Sequence, residues 1–253
     1  MMDASVKPGQ AMDCLAQADV LLWLAGWLRP AAASELLVGE SALRGAVQAA
    51  GLDRSTELGQ AMWSVHEAAA NTEAQALKIE HHRLFDAGMA CAVNESAYVR
   101  RDKGAILGDI CGFYRAFGFE AGAATSEKPD HLGCELEFVA LLLCLLARAR
   151  ERGEAEPCQV TEQALASFCA EHVDVWLGAF CQRLESVSGL AFYEALAGAL
   201  QKVWGALREY HDWPRGEGAV VGEPVEDVGT PYECGMSAGG EVEVRIGGGR
   251  LEQ

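Results

Sequence analysis

The chain has 253 residues and a formal net charge of −17 at pH 7, from 20 Lys and Arg against 37 Asp and Glu. Half of it is hydrophobic, enough for one sizeable core. So acidic a surface repels a phosphate backbone, which sets nucleic acid aside as a partner, and it attracts basic peptides. The nine cysteines form no CxxC pair, and most fall in apolar helical stretches, which favours reduced thiols over a disulfide framework. Met1–Gln10 has no basic segment leading into an apolar run, so no signal peptide is expected. The longest apolar runs, Val20–Leu28 and Phe138–Ala147, are too short for a bilayer core of about 30 Å.

From Met12 to Leu28 the pattern is helical. Leu15, Ala18, Leu22, Ala25 and Leu28 share a stripe, and Leu21, Trp23, Leu24 and Trp27 widen it. Pro30 ends that helix. Ser34 is a good N-cap for a second helix to Ala50, and Gly51 supplies its stop. A third is expected over Ser55–Ala70, and Asn71 or Thr72 opens a fourth ending near Phe85–Gly88. Ala87–Arg101 reads as a loop. Lys103–Gly118 returns to helix, with Ile106, Ile110, Phe113, Tyr114 and Phe117 at helical spacing.

After a polar connection at Glu120–Lys128 comes the strongest helix signal, Pro129–Arg152. Proline suits a first turn, Asp130 complements the positive end of the dipole, and Arg148, Arg150 and Arg152 complement the negative end. Thr161–Ser186 and Leu190–Tyr210 read as two further long helices. Residues 211–253 change character, with ten glycines, three prolines and nine acidic residues. No alternation of helix and strand occurs, which excludes Rossmann and barrel folds. The expectation is an all-α domain over residues 1–212, a bundle of about eight or more helices. An acidic Gly-rich tail follows at 213–253, mobile or with a short hairpin near Glu241–Ile246.

The most informative segment is Glu127-Lys-Pro-Asp-His-Leu-Gly-Cys-Glu-Leu-Glu-Phe138. Asp130 and His131 stand where a helix opens, with Glu135, Glu137 and Phe138 on the next turns. A carboxylate beside an imidazole there offers a cleft an acceptor and a switchable donor. The plainer alternative is that Asp130 caps the helix and His131 packs.

Pro129-Asp130-His131-Leu132, then Glu135-Leu136-Glu137-Phe138 and a leucine run, resembles the PDH…ELEF signature of the TorD/DmsD/NarJ family. Upstream, Glu80-His81-His82-Arg83-Leu84-Phe85 and Asn94-Glu95-Ser96-Ala97-Tyr98 are similar to that family's aromatic-x-x-Leu-Phe stretch and Pro-x-Glu-Ser-x-Tyr loop. Downstream, Phe168-Cys-Ala-Glu-His172 with Trp176, then Phe192-Tyr193, resembles its third region. His81 replaces the usual aromatic, Val93-Asn94 replaces a common proline, and the tail is longer than expected.

The resemblance covers about Leu15–Leu207 and implies a single TorD-like helical domain, as monomer or dimer. It implies a cytoplasmic chaperone with no catalysis and no cofactor of its own. Its partner would be a molybdopterin-containing oxidoreductase, bound through its twin-arginine leader or as the enzyme itself, and held until the molybdenum cofactor is in place. The alternative is a helical scaffold or assembly factor that binds the mature subunit without reading a leader. The site residues expected to take up the peptide are Asp130, His131, Leu132, Glu135, Leu84, Phe85, Glu95, Ser96 and Tyr98.

Two competing chemistries are weaker. His131 and Cys134 have a usable i, i+3 spacing for a metal, with His81, His82 and Glu135 as further donors, but no HExxH, paired Cys or His set, or repeated ExxH accompanies them. No GxxxxGK[ST] phosphate loop occurs, and Gly247–Gly249 neither follows a credible strand nor opens a helix.

Overall fold

The computed structural model describes residues 8–29, 45, 54–86, 89–120 and 127–216. Among them are eight α-helices: α1 (Pro8–Gly26), α2 (Glu57–Ala70), α3 (Ala74–His81), α4 (Lys103–Ala116), α5 (Leu132–Arg152), α6 (Ala155–Phe168), α7 (Leu177–Val187) and α8 (Ala191–His211). The described residues hold no strand, only an isolated bridge between Asn94 and His131. The all-α expectation is met. The helix expected over Ser34–Ala50, Gly45 apart, and the tail beyond Gly216 lie outside the described residues.

Helix α5 is the core element. Leu136, Phe138, Val139, Leu142, Leu143 and Leu146 are each at most 1 % exposed. Helix α1 runs along it in the most extensive helix–helix contact, α6 packs on it too, and α8 joins α2 and α7. Burying each such side chain contributes about 1.5–3 kcal/mol before ordering entropy is counted. Gly153 closes α5 at φ 68°, where its backbone N–H reaches the carbonyls of Ala149 and Arg150. A side chain is disfavoured in that left-handed conformation.

Three details differ from the expectation. On α1 the buried stripe is Cys14, Ala18, Leu21 and Ala25, continued by Leu28 just past its end, while Leu15 and Leu22 are 40 % and 45 % exposed. A helix this apolar all round does not fix its own phase; neighbours do, as where Trp27 packs on Phe192 with ring centres 4.8 Å apart. Helix α5 starts at Leu132, not Pro129, because His131 is its N-cap, with Nδ1 accepting from the Gly133 N–H at 3.0 Å. A Cβ on Gly133 would sit 3.1 Å from that nitrogen, so glycine leaves room for the cap.

The single helix expected over Thr161–Ser186 is broken. A π-helical turn at Cys169–Val173 intervenes before α7. Asp174 holds the break by accepting from Trp204 Nε1 at 2.8 Å, Arg208 at 2.9 Å and the Gly216 N–H at 2.9 Å. Trp213 is buried against Trp204, so the packed body runs a few residues past 212.

Candidate functional site: a loop clasped to the start of α5

The non-helical stretch from Cys91 to Arg101, with one 3-10 turn at Glu95–Ala97, lies against the residues that open α5. Backbone bonds run both ways: Glu95 N–H donates to the Asp130 carbonyl and Leu132 N–H to the Val93 carbonyl, each at 2.9 Å. The Asp130 carboxylate completes the clasp. It accepts from Asn94 Nδ2 at 3.0 Å and from the Ser96 N–H at 3.2 Å, and is fully buried. From the other side Tyr114 donates its hydroxyl to the Pro129 carbonyl at 2.9 Å.

The remaining nominated residues join through aromatic packing. Tyr98 donates to the Ala92 carbonyl at 2.7 Å and stacks on Trp176 at 5.3 Å. The turn at Leu84 is tied to the loop by the Cys91 N–H at 2.9 Å. Phe85 meets Phe180, as Tyr98 does, both at 6.4 Å. His81 fills the place of the expected aromatic, edge-on to Phe85 at 4.9 Å. Burial holds its imidazole below the ordinary range.

Below the clasp lies a polar cluster inside the core. Glu95 faces His172 Nδ1 at 3.0 Å, and Trp176 Nε1 donates to Glu135 at 3.1 Å. Glu135 and His172 are fully buried and Glu95 is 1 % exposed. Burial, then the nearby Glu95 and Asp130 carboxylates, push the Glu135 carboxyl well above its usual range. Burial raises Glu95 as well, with His172 opposing.

The structure therefore gathers the nominated residues, but mostly as interior. Leu84, Leu132, Asp130 and Glu135 are fully buried, Glu95, Tyr98 and His131 nearly so, and only Phe85 and Ser96 are half-exposed. Their carboxylates already have internal partners, so an arginine from outside has no open path to them.

The accessible acidic pair lies one step away. Arg29, just beyond α1, donates Nε to Glu127 at 2.9 Å and forks both terminal nitrogens onto Glu137, one of them at 2.8 Å. Glu127, His131 and Cys134 also place three metal-type donor atoms within 4.8 Å of one another. A metal there would have to displace the guanidinium, which lies 2.9 Å from Glu127 and 3.8 Å from Cys134 Sγ. It would also need a free imidazole nitrogen. His131 Nδ1 serves the helix cap, and accepting there leaves the proton on Nε2. The group is the cradle of Arg29.

Sequence reasoning did not nominate Arg29, Asn94, Glu127, Glu137, His172, Trp176 or Phe180 as site residues. His172 and Trp176 carried a signal, an i, i+4 pair in an apolar helix. Arg29 carried none, because its partners lie about a hundred residues away.

Residues 51–182, just over half of the chain, match the family model described as nitrate reductase delta subunit. The chain belongs to this family. The match is of the NarJ/TorD type that the PDH…ELEF element suggested. The chlorate reductase assembly chaperone protein of Ideonella dechloratans is 40 % identical over 88 residues, which cover 34 % of this chain and 44 % of that protein. The selenate reductase assembly chaperone protein of Thauera selenatis is 38 % identical over 98 residues, 38 % of this chain and 49 % of that protein. The chain thus spans just under half the length of these curated relatives. Among the described residues of this family member, no helix is long and apolar enough to cross a membrane.

Proposed function

We propose that this chain is a system-specific assembly chaperone, without catalysis of its own, for a molybdopterin-containing oxidoreductase. It binds the precursor in the cytoplasm, through its twin-arginine leader, and holds it during cofactor insertion and before export. The family match over residues 51–182 carries this reading, since that stretch contains the loop, the Asp130–His131 turn and α5. In this reading the buried members of the site, Asp130, Leu132, Glu135, Leu84, Glu95 and Tyr98, shape the surface from beneath. Phe85, Ser96 and the rim of His131 are what a peptide meets.

The chemistry is complementary. A leader with two adjacent arginines and an apolar stretch is steered by a chain of net charge −17, and its guanidinium groups seek carboxylates in fork geometry. The test is calorimetric titration of the full chain with a synthetic twin-arginine leader peptide of a molybdoenzyme. Saturable binding is expected that weakens as salt rises and is lost when the two arginines become lysines.

The burial of Asp130, Glu95 and Glu135 favours a second reading, in which the mature subunit is recognised and the leader is not. That reading prevails if the wild-type chain ignores the leader yet captures the leaderless subunit.

A further inference from the structure

We infer that Glu127 and Glu137 form a guanidinium seat which the chain's own Arg29 occupies as an internal stand-in, and which an arginine of the client peptide takes over by displacing it. The inference rests on the leader reading above and adds the seat and its regulation.

All three guanidinium nitrogens of Arg29 are engaged: Nε on Glu127, and both terminal nitrogens on the two oxygens of Glu137. This bidentate fork plus a third carboxylate bond is a geometry lysine cannot reproduce. The hydrogen bond to Glu137, against the opposing pull of burial, raises the affinity of Arg29 for its proton. The seat is open to solvent at its rim, with side chains of Arg29, Glu127 and Glu137 exposed by 20 %, 14 % and 24 %. It brackets the turn that the sequence singled out, Glu127 before Pro129–His131 and Glu137 after it.

The charge balance favours exchange over permanent closure. Two carboxylates face one guanidinium, and the neighbouring His131 is held below its ordinary pKa first of all by burial. An incoming arginine therefore replaces like with like at little electrostatic cost. What opposes it is tethering, since a group on the same chain competes at an effective concentration on the order of millimolar. The free seat is a minor state, and apparent affinity for the peptide falls by that fraction. Removing the stand-in removes the competition.

The experiment uses the full chain, a synthetic peptide with Arg-Arg followed by an apolar stretch, and its Lys-Lys counterpart. Arg29→Ala is expected to bind the Arg-Arg peptide about tenfold more tightly than wild type. The gain should be absent for the Lys-Lys peptide and absent in Arg29→Ala combined with Glu137→Gln. Arg29→Lys, which keeps the charge but cannot fork, should show a smaller gain and covers the case in which the alanine variant does not fold. As a separate readout, millimolar guanidinium should raise the thermal midpoint of Arg29→Ala more than sodium at equal ionic strength. A purely structural staple predicts a lowered midpoint with no gain in peptide affinity. Wild-type binding that neither Arg29 variant improves overturns the displacement and leaves the leader reading standing. No binding by any form overturns both.

Discussion

The two halves of α5 do opposite things with the same buried position. Its second half, Val139 to Ala149, meets α1 and α6 through aliphatic side chains and would serve any helical bundle. Its first half places Glu135 in the same core, fully buried beside Glu95, His172 and Trp176, with Asp130 above it. Enclosing carboxyl groups without a lysine or arginine among their bonded partners is costly unless their hydrogen bonds are met. That cost secures an irregular loop: Glu95, Ser96 and Asn94 are all held through these groups or the backbone beside them. One half of the helix stabilises, and the other spends stability on fixing the shape of a loop.

The contrast can be broken at either end. The largest effect is expected in the apolar half. Leu143→Ala should lower stability by about 2–5 kcal/mol through the cavity it leaves, as measured by urea unfolding. Its peptide affinity should change little in the molecules that remain folded. Asp130→Ala comes next. It strips the Asn94 side chain and the Ser96 N–H of their acceptor; both donors are half-buried, so water offsets part of the about 1–3 kcal/mol that a fully buried stranded donor costs. Here the midpoint should fall and protection of the Glu95–Val99 amides from hydrogen exchange should fall with it, while α5 stays protected. If those amides exchange as slowly as in wild type, the clasp is not what orders the loop.

The apolar half was legible in the sequence and the polar half was not, for one physical reason. Val139, Leu143 and Leu146 declare a buried face by spacing alone, because burial of apolar groups is non-directional and needs no particular partner. A buried carboxyl is interpretable only with its partner in view. The partners of Asp130 lie at 94 and 96, that of Glu135 at 176, those of Arg29 at 127 and 137. Family resemblance pointed to Asp130, His131, Glu95 and Ser96 as belonging together, and the clasp joins them. It did not indicate which side of the surface they face. The break at Asp174 was hidden for the same reason: an apolar run reads as continuous helix until the bonds from Trp204 and Arg208 are seen.

The smallest effect gives the sharpest distinction between the halves. Glu135→Gln keeps the shape of the protonated acid and leaves Trp176 Nε1 an acceptor. Because the folded-state pKa of Glu135 is raised, its contribution to stability is fully present below the ordinary carboxyl pKa of about 4.3 and is lost as pH rises through the folded value. Glu95 shifts in the same direction. The lowered pKa values of His81 and His131 act in the opposite sense, contributing above the ordinary imidazole value of about 6.5 and fading as pH falls. The raw stability profile of wild type therefore mixes the two, and only a difference isolates Glu135. Near pH 5 the glutamine variant should lie within about 1 kcal/mol of wild type. From there toward neutral pH it should gain on wild type steadily, because the amide has no proton to lose. The difference between Leu143→Ala and wild type, measured in the same buffers, should stay flat. A flat difference for Glu135→Gln as well would mean that the buried carboxyl ionises as it does in water, and that the two halves of α5 differ in composition but not in electrostatics.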